Sequence, residues 1–566
     1  MERRMIVRAC ALVAWSSLAI GAGCGDNLTP RETSTPDAAA SPDAPAPDAA
    51  APDPTHIAIA DGEVRGSIVG TSRQFLAIPY AKPPIGDLRW KAPQKPDAWT
   101  APRDATQFSK RCAQLANPTL QNAASTDEDC LYLNVWTPSP APNGVLPVMI
   151  WIHGGGNVNG STSEPVPFVN TGVFYSGQFL AGNHNVVVVS MNYRLGLFGF
   201  FAHPALAAEG SSGNQGLLDQ RMAMQWVHDN IRKFGGDPDN VTIFGESAGS
   251  QDVCLHVASP GSAPLFHRAI SESGGCTTRL RTQTEAEAQA TAVASDLACP
   301  GADALACLRG KSAAELMAAR AVVDRLNNGG ATGFGPNIDG QFMPDQPRTL
   351  YNDGHIARVP YLLGSNQDEG TLFVATAPIA TEGEYADALT ARFGPTLGGA
   401  VKAAYKFTDF TNDPPNAALA ALARVIGDSL LVCTTYDTAV RAQAAGLPVY
   451  LYNFNVPVPP QPGIYLGATH GSELTSVFGT SPVFTTETQL VSDVIQNYWT
   501  NFARTGDPNP QIGIDPMWPK LTATQNIRLN FALEPTSVPS TVLNFRADLC
   551  NFWSTVVYNA QFPAPP

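Results

Sequence analysis

No run of about 18 consecutive apolar residues occurs in these 566 residues, so hydropathy offers no membrane-spanning helix. Positive charge is also scarce. Lys and Arg total 35 against 49 Asp and Glu, the formal charge is −14, and no basic tract offsets it. That balance argues against nucleic-acid binding. The ten cysteines include no C-x-x-C and no His/Cys cluster at metal-ligand spacing, so no metal site is expected. From residue 56 onward there is no internal repeat and no second linker. What is present is a chain with 44% apolar residues and mean hydropathy −0.07, the composition of a globular core. Its length suits one large unit or more than one ordinary domain.

The first 55 residues read as separate from that core. "MERRMIVRAC" is a positively charged start, and "ALVAWSSLAIGAG" is a short apolar stretch followed by Cys24. The pattern is an export signal over residues 1–23 and resembles a bacterial lipoprotein signal, in which the cysteine becomes the lipidated N-terminus. Gly21 departs from it, standing where such signals usually carry leucine. Lipidation of Cys24 is the expectation, and plain cleavage and secretion the alternative. Residues 24–55, including "SPDAPAPDAAAPDP", are too poor in large apolar side chains to fold. They read as an extended, self-repelling spacer ahead of a domain at 56–566.

An exported chain with this many cysteines suggests disulfides. Cys10 lies in the signal and Cys24 at its end, which leaves eight. Spacing does not dictate pairing. Short separations favour Cys112–Cys130 and Cys299–Cys307, while Cys433 and Cys550 stand far apart in sequence.

Along the remaining chain, β-rich runs alternate with helical ones. "VMIWI" (148–152), "VVVVSMNY" (186–193) and "VYLYNFN" (449–455) read as buried strands. "GLLDQRMAMQWVHDNIRKFGG" (216–236) has apolar residues at helical spacing. Alternation of this kind predicts an α/β fold, a mainly parallel sheet with helices on both faces.

Within that frame, "VTIFGESAGSQD" (241–252) reads as strand, sharp turn and helix, with Ser247 at the tip between Gly245 and Gly249. A strained turn pushes such a hydroxyl outward, and the Ala248 N–H sits at a helix N-terminus, where negative charge is favoured. The pattern alone is weak, because a glycine-rich chain also makes plain turns. A nucleophilic serine needs a base, an acid to orient the base, and donors for an oxyanion. Downstream of Ser247 lie His256 inside the following helix, His267, His355 and His470. His355 reads as a surface loop residue. His470, in the glycine-flanked loop "GATHGSEL" after a strand, is the candidate base. An acid between the two should close a strand, as "VPYLLGSNQDEGTLF" (359–373) does, and the residues alone leave Asp368 and Glu369 equal. Donors are offered by His153-Gly154-Gly155-Gly156, where a strand runs into glycines that let backbone N–H groups approach a substrate oxygen.

Taken together with "AIPYAKPPIGDLRWKAP", "EDCLYLNVWTP", "LFHRAISESG", "IDGQFMPD" and "NFARTGDPN", the chain resembles the type-B carboxylesterases, the family of carboxylesterases, cholinesterases and some lipases. The resemblance runs from about residue 57 to 555. It implies the α/β-hydrolase fold, a catalytic triad of Ser247, Glu369 and His470, and oxyanion donors at Gly155, Gly156 and Ala248. It implies disulfides Cys112–Cys130, Cys299–Cys307 and Cys433–Cys550, the last tying down the C-terminal helix. It also places Ser273, in "SESGG", near the catalytic histidine, where a plain core hydroxyl is the competing reading. No cofactor is implied.

Two features depart from the family pattern. Cys254 and Cys276 match none of its disulfides, and either pair with each other or stay as buried thiols. Residues 161–172 look like extra length after the oxyanion loop, with Pro165, Val166, Pro167, Phe168 and Val169 suited to the pocket mouth. The expected activity is hydrolysis of uncharged, short or medium-chain carboxylic esters, with longer-chain acylglycerols the alternative. A non-enzymatic adhesion protein on the same fold is the rival class. Such members typically lack part of the catalytic set, and here all three residues are present. The partner expected is a small ester, with no nucleic acid, and with a membrane only through the N-terminal lipid. Because the base must be neutral, activity should fall as pH drops through roughly 6 to 7.

Overall fold

The computed structural model describes residues 53–558, apart from 118–122, 142, 167–171, 211–212, 323–332, 460–462, 510–515 and 534–538. The signal, Cys24 and most of the proline-rich spacer lie outside the described residues, as do Pro167, Phe168 and Val169 of the expected pocket-mouth segment.

The main sheet has eleven strands, numbered here in chain order. They are β1 Ser67–Val69, β2 Ser72–Pro79, β3 Tyr132–Pro138, β4 Leu146–Ile152, β5 Val187–Met191 and β6 Gly236–Glu246, then β7 Arg268–Glu272, β8 Tyr361–Asn366, β9 Val449–Asn455, β10 Ile527–Ala532 and β11 Ser540–Leu543. Their spatial order is β11-β10-β9-β8-β7-β6-β4-β5-β3-β2-β1. From β5 through β4 and β6 to β10 every pairing is parallel. The outer strands at both edges pair antiparallel.

The central strands are apolar on both sides because both faces are covered. On β4, Val148, Ile150 and Ile152 enter one core with Val187 and Val189 of β5. The alternate residues Met149 and Trp151 enter the other with Val188. Helices α1 (Gln215–Asn230) and α2 (Ala248–Ala258) supply side chains to the first core. Helix α3 (Thr486–Thr505) supplies the second, where Trp499 packs with Tyr452, Trp518 and Phe531. Offset and edge-on aromatic contacts of this kind add to the area they bury.

The stretch Ala417–Ala444 is long and apolar enough by composition to cross a bilayer, yet 78% of its most apolar window is buried inside the protein. It is core helix here. Its helical path widens between Asp428 and Val432, and Cys433 beyond that segment is bonded to Cys550.

Among the described residues four disulfides are formed: Cys112–Cys130, Cys254–Cys276, Cys299–Cys307 and Cys433–Cys550. The Cys254–Cys276 pair resolves the open alternative in favour of a bond. It joins α2 to the segment that follows β7. Cys433–Cys550 closes a 117-residue separation and ties the C-terminal helix Ala547–Phe552 to the core. A closed loop of that length restricts the unfolded chain by on the order of 4–5 kcal/mol. A non-reducing peptide map should show all four pairs. Replacing Cys433 and Cys550 together by Ala should lower urea-unfolding stability by about that amount, and a loss below about 1 kcal/mol would remove the loop-closure argument.

Candidate active site

All the candidate residues lie at the carboxyl ends of neighbouring parallel strands, where open α/β sheets place their sites. The oxyanion loop follows β4, Ser247 follows β6, Ser273 follows β7 and Glu369 follows β8. His470 follows β9 by a longer loop.

Ser247 sits between β6 and α2 with φ 57° and ψ −120°, a backbone conformation that L-residues rarely adopt. The turn is tight because α2 starts directly against β4. A Cβ on Gly249 would lie 2.1 Å from the Ile152 carbonyl oxygen, so only glycine fits there. Gly155, at φ 101°, is under the same constraint, since a Cβ would stand 2.2 Å from the Asn159 carbonyl oxygen. Among the described hydrogen bonds, none takes the N–H of Gly155, Gly156 or Ala248 as donor.

The hydroxyl, imidazole and carboxylate form one chain of hydrogen bonds. Ser247 Oγ stands 2.8 Å from His470 Nε2, and His470 Nδ1 stands 2.7 Å from Glu369 Oε2. Glu369 is 1% exposed, and its other oxygen accepts from the Asn366 N–H at 2.7 Å. The contact separates the two acids that the sequence left equal. Asp368 does not reach the imidazole and instead accepts from the Ala468 N–H at 3.0 Å, pinning the loop that carries His470. The Asn366 amide donates to the Thr469 carbonyl at 2.8 Å, and Thr371 Oγ1 bonds Thr469 Oγ1 at 2.8 Å. The loop of the acid and the loop of the base are thus interlocked.

Other candidates fall as follows. His256 is fully buried within α2, bonded to Gln220 and Ser262, and His355 is exposed. Ser273 is buried with φ 58°, and among the described residues its hydroxyl has no hydrogen-bond partner, His470 included. The structure therefore gives it no hydrogen bond to the site.

Three carboxylates near His470 escaped sequence reasoning. Glu246 precedes the serine, and its Oε1 stands 3.1 Å from His470 Nε2. Glu473, three residues past the histidine, accepts from the Asn366 amide. Glu272, at the end of β7, accepts from the Trp499 indole N–H at 2.9 Å. Burial pushes Glu246 up to about 7, Glu272 up to about 8 and Glu473 well above the usual carboxylate range. Burial alone would lower His470, but the carboxylates of Glu246, Glu369 and Glu473 outweigh it and raise the imidazole to about 9. One sequence signal was available: a glutamate inside G-E-S-A-G is a charged residue where the turn must be buried. Phe373 was also missed. Its ring lies 5.2 Å from the His470 ring and is 49% exposed.

A doubly covered parallel sheet, with a serine on a strained turn bonded to an acid-held imidazole, defines a carboxylic ester hydrolase of the α/β-hydrolase fold. Residues 53–553 match the carboxylesterase family, and the chain belongs to that family. It is similar to a cholinesterase of Mus musculus, 36% identical over an alignment of 531 residues that covers 87% of this chain and 85% of that protein.

The raised imidazole moves the expected pH dependence upward. A base must be neutral to take a proton, so activity is lost below its pKa and gained above it. The acid limb of kcat/KM should therefore lie above the ordinary histidine value of about 6.5. Glu246→Gln removes the strongest of the carboxylate effects and should move that limb downward, as a pH profile of kcat/KM will show. An unmoved limb would separate Glu246 from the titration.

Proposed function

We propose that the protein is a serine carboxylesterase working through a covalent acyl-enzyme, with Ser247 as nucleophile, His470 as general base and acid, and Glu369 as the group that orients the imidazole. The observation that carries this is the unbroken chain Ser247–His470–Glu369 at 2.8 and 2.7 Å. His470 removes the hydroxyl proton as Oγ attacks the ester carbonyl, and the charge that develops on oxygen meets the N–H groups of Gly155, Gly156 and Ala248. The imidazolium then protonates the leaving alcohol. Water repeats the cycle on the acyl-enzyme and restores the serine. Glu369 stabilises the imidazolium at each stage.

Ser247→Ala should abolish ester hydrolysis with the fold intact, and an organophosphate should label the peptide containing Ser247. Labelling elsewhere would sink the assignment. Glu369→Gln should lower kcat by orders of magnitude, as loss of the orienting carboxylate does in other triads, while Asp368→Asn should cost far less.

The substrates proposed are uncharged esters of short or medium acyl chain. The mouse relative is named a cholinesterase, but a quaternary ammonium calls for aromatic faces around the alcohol side. The loop between Cys112 and Cys130, "AQLANPTLQNAASTDED", contains no aromatic residue. Phe373, a single phenyl ring beside the base, suits an apolar acyl or alcohol group better than a cation. The net negative charge draws cations towards the protein without building a site for them. kcat/KM for butyrylcholine should not exceed that for its uncharged isostere, 3,3-dimethylbutyl butyrate. A clear choline preference overturns the reading, and strong activation at a triglyceride interface makes the protein a lipase.

Export is proposed from the N-terminal signal together with four disulfides, which suit an oxidising compartment. Cys24→Ser should release the protein from the membrane fraction, and a native protein that is already soluble would favour plain secretion.

A further inference from the structure

Below the nucleophile lies a buried carboxylate that the catalytic chain does not use. Asp252 is on α2, one turn beyond Ala248, and is 0% exposed. Its two oxygens accept one side-chain amide each, Asn157 Nδ2 at 3.0 Å and Gln220 Nε2 at 2.7 Å. Gln220 in turn bonds His256 Nε2 at 2.8 Å, and His256 Nδ1 bonds Ser262 at 2.8 Å. No cation pairs with Asp252 among the described ion pairs; burial pushes its carboxyl up to about 7 against the pull of the two amides, an arrangement that is costly unless both bonds are kept.

Asn157 follows Gly156 directly in the oxyanion loop. Its backbone is left-handed at φ 59°, which asparagine tolerates better than most residues. Its carbonyl accepts from the Gly196 N–H at 2.7 Å, and its side chain is 2% exposed. A carboxylate only accepts, so the amide must present its NH2 to Asp252, and that fixes the side chain's orientation.

The juxtaposition has a chemical consequence. The proposed oxyanion donors come from two separate elements, Gly155 and Gly156 from the loop after β4 and Ala248 from the start of α2. Their spacing decides how well they meet a tetrahedral oxyanion, and fractions of an ångström matter. Asp252 bridges these elements through a single side-chain hydrogen bond, four residues from one donor and, through Asn157, next to the other two.

We infer that Asp252 and Asn157 act as a pair of positioning residues that hold the two halves of the oxyanion hole in register. This rests on the triad assignment above. Neither residue touches the substrate. Their effect belongs to the transition state, because the ground-state carbonyl makes less of these donors than the oxyanion does.

The test uses the full-length protein with Asn157→Gly, Asp252→Asn and the double variant, with active sites counted by end-point organophosphate labelling. Glycine accepts the left-handed backbone at 157, so that variant deletes the amide alone. In Asp252→Asn one of the two amide donors loses its acceptor. Each single variant should lower kcat per labelled site by on the order of 10- to 100-fold, with KM within about twofold. Inhibition by a trifluoromethyl ketone, whose serine adduct carries the oxyanion, should weaken by a similar factor. The double variant should be no worse than the poorer single one, because both break the same link. A purely structural role would lower Tm and the fraction of labelled sites while leaving kcat per site and ketone inhibition within about twofold of wild type, and that result overturns the inference. If Asp252→Asn does not fold, Asn157→Gly decides alone. Failure of the wild-type protein to label at Ser247 would instead refute the triad assignment, so the two failures are distinguishable.

Discussion

A serine held at φ 57° and ψ −120° sits in a backbone region that costs of order 1–3 kcal/mol, and the rest of the architecture keeps it there. β6 is paired in parallel on both sides, which leaves it no freedom to relax. α2 departs so close to β4 that Gly249 lies against the Ile152 carbonyl. The Ser247 N–H is bonded to the Glu272 carbonyl at 2.9 Å, so the turn is tied to β7 as well. The Cys254–Cys276 bond adds a covalent tie between α2 and the segment beyond β7. Relaxing the turn would disturb both cores at once. The strain is therefore sustained by burial spread over many side chains rather than by any local contact.

Around that turn the protein gathers more negative charge than the chemistry of one imidazole needs. Glu369, Glu246, Glu473 and Glu272 are all buried. They cannot all be ionised without large cost, and burial raises Glu246, Glu272 and Glu473 accordingly. Glu369 has its two oxygens used separately, one by the Asn366 N–H and the other by His470. Together the carboxylates favour a proton on the ring.

Asp252 shows the same economy in a different place. Its bonds run to Asn157 in one loop and Gln220 in α1, so a single carboxylate joins three elements around the nucleophile. Like the acid-loop and base-loop contacts through Asn366 and Thr371, it turns separate strand ends into one rigid constellation. A site built on loops gains its accuracy from such ties.

The mainly parallel sheet covered on both faces, the serine turn, the histidine loop and the stretch holding the acid were all legible in the sequence, because each depends on short-range chemistry, and family resemblance added the α/β-hydrolase fold. A strand fully covered on both faces must be apolar throughout, as β5 is, and a turn packed against a neighbouring carbonyl must carry glycine, as at Gly249. The choice between Asp368 and Glu369 was not legible locally, since adjacent carboxylates point in different directions. Family resemblance favoured Glu369, and in the structure it is the residue at hydrogen-bond distance from His470. The approach of Glu246 to the imidazole, the Phe373 ring beside it and the Asn157–Asp252 link were invisible for a related reason, which also left the Cys254–Cys276 pairing open. Each joins residues whose proximity, or whose common facing, is created only when strands far apart in sequence lie side by side. Local pattern determined which residues were chemically able to act, and the parallel sheet decided which of them meet.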